Sequence, residues 1–547
     1  MKIQLKIQKE EELEMGERGK KIRGCVYLLT LFLAVSLCFF ALRSFAGDME
    51  IMIDEMVKQG VITKEQGDKM LEDMKKAKAK EQEKVAAEQE KAGKKYEPGT
   101  GRTLPTSLVD LTIGGFIEAA GIYRSRFEGS DINSGFNLGS GNIPLRNSPN
   151  YYTDELRFTA RQSRLSLLAQ GKEDYASLAA YFELDFLGGG SGTSANSKES
   201  NSYIPRIRQL YMTYDTDGWH FLAGQAWSLI TMNKAGIMPR QENIPLTIDA
   251  QYIPGFTWTR NPQFRVVKDF DKTVWVGLSV ESPQALLTAG NLVGGGAVGY
   301  NYALLGAGNY AYTTSATNSN LSNAVSLDQY PDIVEKVAVD PGFGHYEVYG
   351  LQRFFTDRTL FNVSRSNNTT FGYGIGGAAL LPVVPKLIDL QGSVLWGRGI
   401  GRYGSAQFND VVVNPITGKL DPISEVEVLV GVIGHPTDRL ELWAYGGLEK
   451  ESHKDVVGTT GGFGNPAYVS IGCEEEGGIC PGGAAGAVGF VQASGVLQGT
   501  VGLWYDFYKG KFGKMRIGAS YSYSKLSIFS LPGENESIGM LSFRYYF

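Results

Sequence analysis

The chain has 547 residues, a formal charge of −5 and an apolar content of 43%. This length allows several soluble domains or one large barrel, and the modest charge gives no reason to expect a nucleic-acid partner. Only one long apolar run occurs, near the N-terminus, which argues against a bundle of transmembrane helices. Glycine (69 residues), tyrosine (28) and phenylalanine (27) are abundant, as is typical of strands, turns and membrane interfaces.

Residues 1–46 have the pattern of a secretory signal peptide. Residues 25–42 are apolar, three basic residues precede them, and a Ser-Phe-Ala tripeptide ends at Ala46. We therefore expect cleavage after Ala46. The alternatives are that this segment remains as a membrane anchor, and that Met15 rather than Met1 is the true start.

Residues 47–98 differ from everything that follows. Two short helices are predicted first, and a stretch rich in strong helix formers of both charge signs comes after them. Leu71, Met74 and Val85 fit a heptad seam, although two charged positions interrupt it. A short coiled coil, a solvated single helix and a charged disordered linker are all compatible with this segment. We expect it to lie in the periplasm.

From residue 108 onward, strand-forming segments alternate with turns, and sixteen strands are predicted. They cover residues 108–127, 154–171, 174–187, 205–215, 219–228, 254–270, 272–283, 331–340, 344–355, 369–381, 386–398, 424–433, 437–449, 497–508, 513–527 and 536–547. Short connections alternate with mostly long ones, which is the pattern of an outer-membrane barrel. We therefore predict an all-β transmembrane β-barrel of about 16 antiparallel strands over residues 99–547.

The faces of the predicted strands support a barrel. In residues 178–186 apolar side chains alternate with Glu183 and Asp185, and in residues 426–432 four valines share one face. Charges thus fall on the face that a water-filled lumen requires. The last twelve residues, 536–547, alternate in the same way and would close the barrel against its first strand.

The assignment of one strand depends on the side of the membrane on which the next long loop would fall. Residues 254–270 contain Asn261-Pro262 and can be divided into two strands. The division would place the long loop 284–330 on the periplasmic side, so one bent strand is predicted. The alternative all-β folds, a β-propeller or a soluble β-solenoid, need a sequence repeat, and none is visible.

Sequence signals for catalysis are sparse. The chain has four histidines, and no HExxH, GxSxG, Walker or dinucleotide-binding pattern occurs. A Ser-His-acid site built from distant residues stays an alternative because such triads are recognised by geometry. We expect no enzyme activity, no metal and no cofactor.

Cys473 and Cys480 are the two cysteines that remain after signal cleavage. They flank a short polar segment, and the compartment is oxidising. We therefore expect a disulfide that closes a small outer loop.

Strand phase points several arginines into the lumen. These candidate pore-lining residues are Arg124, Arg126, Arg164, Arg265, Arg516 and Arg544. Arginines in a pore attract anions and can bind carboxylates through two hydrogen bonds. Alternatively they pair with lumen carboxylates such as Glu183 and Asp185, which belong to the same candidate lining, and merely brace the wall. The phase of four further arginines is ambiguous; these are Arg206, Arg208, Arg260 and Arg398.

The segment 229–253 is less polar than an exposed loop tip should be. It contains a basic pair, Lys234 and Arg240, which complete the candidate pore lining. The segment either folds into the lumen and narrows it, or packs on a neighbouring subunit. Loop 284–330 is rich in Gly, Asn, Ala, Ser and Tyr instead, which suits an outer surface.

Six motifs in order resemble the DcaP-like outer-membrane porins. They are LTIGGFIEAAGIY, ELRFTARQSRLSL, YFELDF, IRQLYMTY, LAGQAWSLI and RNPQFR, and they fall within residues 108–270. The later half matches more loosely, through WGRGIGRYG and the terminal RYYF. The resemblance implies a sixteen-stranded trimeric porin in the outer membrane, with an N-terminal periplasmic coiled coil in members that have one. It also implies a preference for small anionic solutes such as dicarboxylates, although the net acidity of this chain counts against that preference.

The function expected from the sequence is therefore passive uptake of small hydrophilic solutes through a porin in the bacterial outer membrane. The expected partners are outer-membrane lipid, two further copies of the chain and small anions. A structural or surface-interaction barrel is the first alternative, and an outer-membrane hydrolase is the second.

Signal cleavage provides a direct test of the N-terminal prediction. N-terminal sequencing of protein isolated from the outer membrane should begin immediately after Ala46, because the peptidase reads the small residues before the cut. A mature chain that still contains residues 25–42 would refute the signal peptide and favour the anchor.

Overall fold

A computed structural model describes residues 102–104, 109–132, 143–173, 175–188, 204–249, 252–286, 313–314, 325–326, 328–361, 364–414, 419–455, 462–464, 475–478, 493–529 and 531–547. The predicted signal peptide and the predicted periplasmic segment lie outside these residues. So do both cysteines of the predicted disulfide, Cys473 and Cys480.

The described residues form a closed barrel of sixteen antiparallel strands, which confirms the predicted architecture and strand number. The strands are β1 (Asp110–Arg124), β2 (Glu155–Thr159 and Arg164–Lys172), β3 (Ser177–Gly188), β4 (Ile204–Thr216), β5 (Trp219–Trp227), β6 (Arg260–Phe270), β7 (Val274–Glu281), β8 (Asp332–Val339), β9 (His345–Phe361), β10 (Ser364–Val384), β11 (Ile388–Arg398), β12 (Ser424–Thr437), β13 (Leu440–Glu451), β14 (Ala493–Gly510), β15 (Gly513–Ile528) and β16 (Leu531–Tyr546). Each strand pairs with the next, and β16 pairs with β1 from Tyr546–Phe116 to Ile538–Arg124. This pairing satisfies the edges of the first and last strands.

The two ends of the barrel differ in their connections. At one end, the short-turn end, seven tight turns join β2–β3, β4–β5 and so on to β14–β15. At the other, the long-loop end, the connections are mostly long, as predicted. Two exceptions are the two-residue connections 362–363 and 529–530, because β9 ends later, and β10 and β16 begin earlier, than predicted.

Side chains alternate between the lipid-facing wall and the interior. On β12, Val430 and Val432 point outward and are exposed, whereas Glu425 and Glu427 point inward and are buried. The predicted faces are therefore confirmed on this strand. Glu427 is buried under the connection 228–259, whose Thr257 hydroxyl donates to its carboxylate over 2.8 Å.

The predicted strand 254–270 is wrong at its start, because β6 begins only at Arg260. Residues 254–259 are rich in apolar side chains and mostly buried, which is why they were predicted as strand, but their backbone turns at Gly255, with φ of +79°. A Cβ at Gly255 would lie 2.0 Å from the Val428 carbonyl oxygen, so only glycine lets the chain lie this close to the wall. The Trp258 amide then donates to the Tyr403 carbonyl, 2.7 Å away, instead of joining a ladder.

Several short elements lie outside the sixteen strands. Arg102–Leu104 pairs with β1, and single-turn 3-10 helices occupy Pro149–Tyr152 and Gly401–Tyr403. Three two-stranded pairs are Thr313–Thr314 with Val325–Ser326, Val411–Val413 with Leu420–Pro422, and Lys454–Asp455 with Gly462–Phe463. In the part of the chain that the structure describes, no helix is long and apolar enough to cross a membrane.

We expect a charged side chain on the lipid-facing wall to destabilise the barrel by an amount that depends on its depth in the membrane. Val430→Arg should lower the free energy of unfolding by about 2–4 kcal/mol, because Val430 lies near the middle of β12 and would place a guanidinium in hydrocarbon. Urea unfolding in lipid vesicles, followed by tryptophan fluorescence, measures this.

The matched control for this substitution is Val426→Arg on the same strand. Val426 pairs with Trp396 on β11, whose outward ring suits the interface, so the expected cost falls to about 0–1 kcal/mol. Equal costs at both positions would mean that this face of β12 does not contact lipid.

Candidate functional site

The connection between β5 and β6, residues 228–259, lies inside the barrel, and we call it the lumen loop. It begins at the long-loop end, where the Leu229 amide donates to the Glu281 carboxylate over 2.9 Å. Its tip reaches the short-turn end, where the Gly236 amide donates to Asp340 over 2.9 Å. Of the two predicted placements for this segment, its described residues occupy the lumen.

The second half of the lumen loop, residues 244–259, crosses to the wall formed by β12–β14. The Trp504 indole donates to the Leu246 carbonyl over 2.7 Å, and the Gly255 amide donates to Glu449 over 2.6 Å. Apolar residues of the loop and the wall fill the space between them. They include Ala120, Ile122, Trp227, Ile248, Tyr252, Ile253, Phe256, Leu429, Trp443, Tyr445 and Trp504. This side of the lumen is therefore packed rather than open.

Strands β2, β3 and β4 carry a ladder of charged side chains that face the lumen. Arg164 Nη1 lies 3.8 Å from Glu183 Oε2, and Arg208 bonds to both Glu183 (2.7 Å) and Asp185 (2.8 Å). Arg206 binds Asp185 through two hydrogen bonds of 3.0 and 2.8 Å. We call these five residues the arginine wall.

In the arginine wall, two of the positively charged side chains are more exposed than the negatively charged ones. The side chains of Arg164 and Arg206 keep 28% and 32% of their surface exposed, whereas Glu183 and Asp185 keep 9% and 1%. The carboxylates thus lie behind the guanidinium groups. A solute that touches this wall contacts hydrogen-bond donors that carry positive charge.

A β-bulge in β4 brings Arg208 into the arginine wall. Glu183 pairs with Gln209 and Leu184 with Ile207, which leaves Arg208 as the extra residue. Arg208 and Gln209 are consequently both buried on the inner face. A strict alternation of faces cannot predict two successive inward residues. The sequence therefore left open which face of the strand carries Arg208.

Arg260, at the start of β6, adds positive charge beside the arginine wall. Its guanidinium carbon lies 4.9 Å from the ring centres of both Trp227 and Trp258, so it stacks on aromatic rings. The lumen-loop residue Tyr252 reports the combined field. Burial raises its pKa, but Arg208, Arg164 and Arg260 outweigh burial, and the net pKa of the Tyr252 phenol is lowered. 

Two further predicted lining residues, Arg544 on β16 and Arg516 on β15, also pair with carboxylates. Arg544 Nε donates to Glu118 over 2.8 Å, and Arg516 donates to Asp506 over 2.7 Å and to Glu441 over 2.6 Å. Arg516 is buried, and Arg544 has little exposed surface. Both brace neighbouring strands in the way that the alternative interpretation describes.

Arg124 and Arg126 lie at the long-loop end. Arg124 is fully buried between Glu128 (3.3 Å) and Glu155 (3.5 Å). The guanidinium carbon of Arg126 lies 3.7 Å from the centre of the Tyr151 ring. Both side chains anchor the connection between β1 and β2.

The remaining predicted cations fall into two environments. Arg265 is buried and donates to the Gln263 side-chain oxygen over 3.0 and 2.8 Å, so it has a neutral partner. Lys234 and Arg240 are exposed on the lumen loop. Arg240 adopts φ of 66° and lies 5.7 Å from the Tyr181 ring on β3, which brings a loop cation close to the arginine wall.

β12 and β13 carry a buried acidic face. Glu425 pairs in register with Glu451, and Glu427 with Glu449. The Ala406 amide donates to Glu449 over 3.0 Å, so a second loop covers this face. Among the described residues no group of three or more His, Cys, Asp or Glu side chains is arranged to hold a metal ion.

Arg353 ties the loop between β11 and β12 to the barrel. It bonds to Asp332 over 3.2 Å, to Asp410 over 2.5 Å and to the Gly399 carbonyl over 2.6 Å. Burial raises the pKa of the Asp410 carboxyl, and Arg353 opposes that effect. Asp410 in turn accepts the Arg402 amide over 3.0 Å.

Sequence reasoning left Arg206, Arg208 and Arg260 unassigned. A signal for the first two was present, because they stand two residues apart on the strand after Glu183 and Asp185. Adjacent antiparallel strands place such opposite charges across from each other. Arg260 had no such signal, since its aromatic partners are Trp227 at the end of β5 and Trp258 in the lumen loop.

The closed barrel, the lumen loop and the charged wall define the class of protein: a bacterial outer-membrane β-barrel. The outer-membrane channel DcaP of Acinetobacter baumannii is similar in structure, with a TM-score of 0.54 and 17% identity over 81% of this chain and 99% of that one. OmpF of Salmonella typhi aligns with a TM-score of 0.43 and 8% identity, over 82% of this chain and 100% of its own. OprB of Pseudomonas putida aligns with a TM-score of 0.42 and 9% identity, over 80% of this chain and 94% of its own.

The resemblance to the DcaP-like porins is therefore confirmed at the level of the fold, and the outer-membrane location with it. No model of a known protein family matches the sequence, and no curated protein matches it either. The short-turn end of the barrel is accordingly the periplasmic end.

Removal of Arg353 should destabilise the barrel strongly. Arg353→Leu leaves Asp332 and Asp410 buried without this partner and should lower the free energy of unfolding by about 3–5 kcal/mol. The urea-unfolding midpoint in vesicles measures the effect.

Arg398→Leu is the matched control for this prediction. Arg398 pairs with Asp421 at 3.4 Å, and both side chains are partly exposed, so the expected loss is about 0–1 kcal/mol. A loss at Arg353 no larger than this would show that the buried pair is not needed to hold the loop.

Proposed function

We propose that the protein is an outer-membrane porin for passive uptake of small hydrophilic anions, dicarboxylates above all. The observation that carries this proposal is the unequal exposure of charge in the arginine wall, where Arg164 and Arg206 face the lumen and Glu183 and Asp185 lie behind them. The fold of the DcaP channel supports the porin role.

Electrostatics favours anions along this wall. With Arg260 included, four guanidiniums (Arg164, Arg206, Arg208 and Arg260) stand against two carboxylates (Glu183 and Asp185), and four minus two leaves an excess of two positive charges. An exposed cation lowers the energy of a passing anion, and a guanidinium can bind a carboxylate through two hydrogen bonds. A dicarboxylate can place one charge on the wall and the other near Arg240 or Lys234 of the lumen loop.

Further parts of the proposal rest on the sequence. We propose that residues 1–46 are removed as a signal peptide, that residues 47–98 form a helical periplasmic segment, and that the barrel assembles as a homotrimer in outer-membrane lipid. We also propose that Cys473 and Cys480 form a disulfide. The rings of the described histidines His220, His345 and His435 hydrogen bond to carboxylates and to no serine or cysteine, so they form no nucleophile–base pair that would support an enzymatic role.

Selectivity measurements test the porin proposal. In a planar bilayer under a salt gradient, the wild-type reversal potential should indicate anion preference, and Arg206→Ala or Arg164→Ala should shift the permeability ratio toward cations by about fivefold. The reason is that one unit charge about 4 Å from an ion contributes about 1 kcal/mol even in water. The shift should shrink above 0.1 M salt, where the screening length is about 10 Å.

Arg398→Ala is the control, because Arg398 lies in the outward phase of β11 and should leave selectivity unchanged. A cation-selective wild type would overturn the anion preference and leave a general porin. A folded protein that gives no conductance steps would overturn the porin role itself and favour a structural barrel.

A further inference from the structure

Two carboxylates at the periplasmic end hold the tip of the lumen loop by its backbone. Asp340, in the turn after β8, accepts the Gly236 amide over 2.9 Å. Glu347, on β9, accepts the Asn233 amide over 2.9 Å. These two hydrogen bonds hold the backbone of the loop tip at this end of the barrel.

His345 lies between the same two carboxylates. Its Nδ1 is 2.7 Å from Asp340 Oδ1, and its Nε2 is 2.9 Å from Glu347 Oε1. A neutral imidazole has one N–H, so both contacts are hydrogen bonds only when the ring is a charged imidazolium. Two facing carboxylates favour that charged form.

The charges that are hydrogen-bonded to one another here balance only with His345 protonated, and the next two around Lys336, Arg265 and Glu242, have opposite signs. Lys336 Nζ lies 2.9 Å from Glu347 Oε2 and also donates to the Thr231 carbonyl of the lumen loop over 2.7 Å. Asp340 and Glu347 then face Lys336 and imidazolium His345, two negative against two positive charges. The β10 residue that pairs in register with His345, Leu380, contributes no charge.

We propose that His345 is a positioning residue that makes the anchorage of the lumen loop depend on pH. We call Lys336, Asp340, His345 and Glu347 the loop latch. When the ring loses its proton, one ring nitrogen presents a lone pair to a carboxylate oxygen, and that contact becomes repulsive. The carboxylate that turns away is one of the two that hold the loop amides, so the loop tip is released.

The sign of the effect follows from this geometry. The latch is complete at acidic pH, where the imidazolium donates to both carboxylates, and it is lost as pH rises through the titration of His345. Histidine is the side chain whose charge ordinarily changes between about pH 5 and 8. The loop should therefore be held in mildly acidic medium and looser in mildly alkaline medium.

Hydrogen exchange measured by mass spectrometry tests the latch without any need for conduction. Peptides that cover residues 231–243 should lose protection by about tenfold between pH 5.5 and 8.5, after correction for intrinsic exchange, because one charged hydrogen bond is lost. His345→Gln should show the low, alkaline level of protection at both pH values.

His435→Gln is the matched control. His435 is also a periplasmic-end histidine, on β12 near the β12–β13 turn, but its partner, 3.2 Å away, is Asp389 at the start of β11, which holds no amide of the lumen loop. This variant should keep the wild-type pH dependence. A wild type whose protection does not change with pH would overturn the proposal, even if His345→Gln failed to fold, and so would a folded His345→Gln with the wild-type pH dependence.

A second readout rests on the proposed porin function. Single wild-type channels should close spontaneously more often at pH 8.5 than at pH 5.5, and His345→Gln channels should close equally often at both. A pH-dependent exchange pattern in a protein that conducts no ions would remove the porin function and keep the latch. Anion-selective channels whose loop protection does not change with pH would keep the porin function and remove the latch.

Discussion

The structure depends on how a buried loop satisfies its backbone amides inside a barrel. The lumen loop has no strand partner, so its N–H groups must find other acceptors, since an unpaired buried amide is costly. Inward-facing carboxylates supply them, as Glu281, Glu347, Asp340 and Glu449 do. The many acidic residues of the interior thus have a structural use, and they need not repel anions.

This use of carboxylates explains how an acidic chain can present a basic surface. The net charge of −5 counts every acid equally, but the acids differ in what they contact. Glu183 and Asp185 lie behind arginines, and Glu427 and Glu449 lie behind loops. Exposed guanidinium groups therefore determine the field that a solute meets on β2–β4, because buried and paired carboxylates contribute less to it.

Local patterns predicted most of the fold. The number of strands, the alternation of faces and the two kinds of connection follow from side-chain direction and turn chemistry, which act over a few residues. The error at residues 254–259 arises from contacts between residues that are distant in the sequence. Those residues are buried by contacts with β12 and β13, which lie 170 to 194 positions later. Burial alone looks the same in a strand and in a packed loop. The candidate lining stays a prediction, and its side chains differ in burial in ways that no local pattern predicts: Arg265 and Arg208 are buried, whereas Arg164 and Arg206 keep exposed surface.

The sequence by itself determined a sixteen-stranded outer-membrane barrel with charges on its inner face. It did so because a period of two and the spacing of turns are local properties of the chain. Only the tertiary structure decided which arginines stay exposed, which carboxylates they cover, and where the lumen loop runs. Those outcomes depend on the register between strands and on a bulge at Arg208, and a shift of one residue reverses the direction of every side chain that follows.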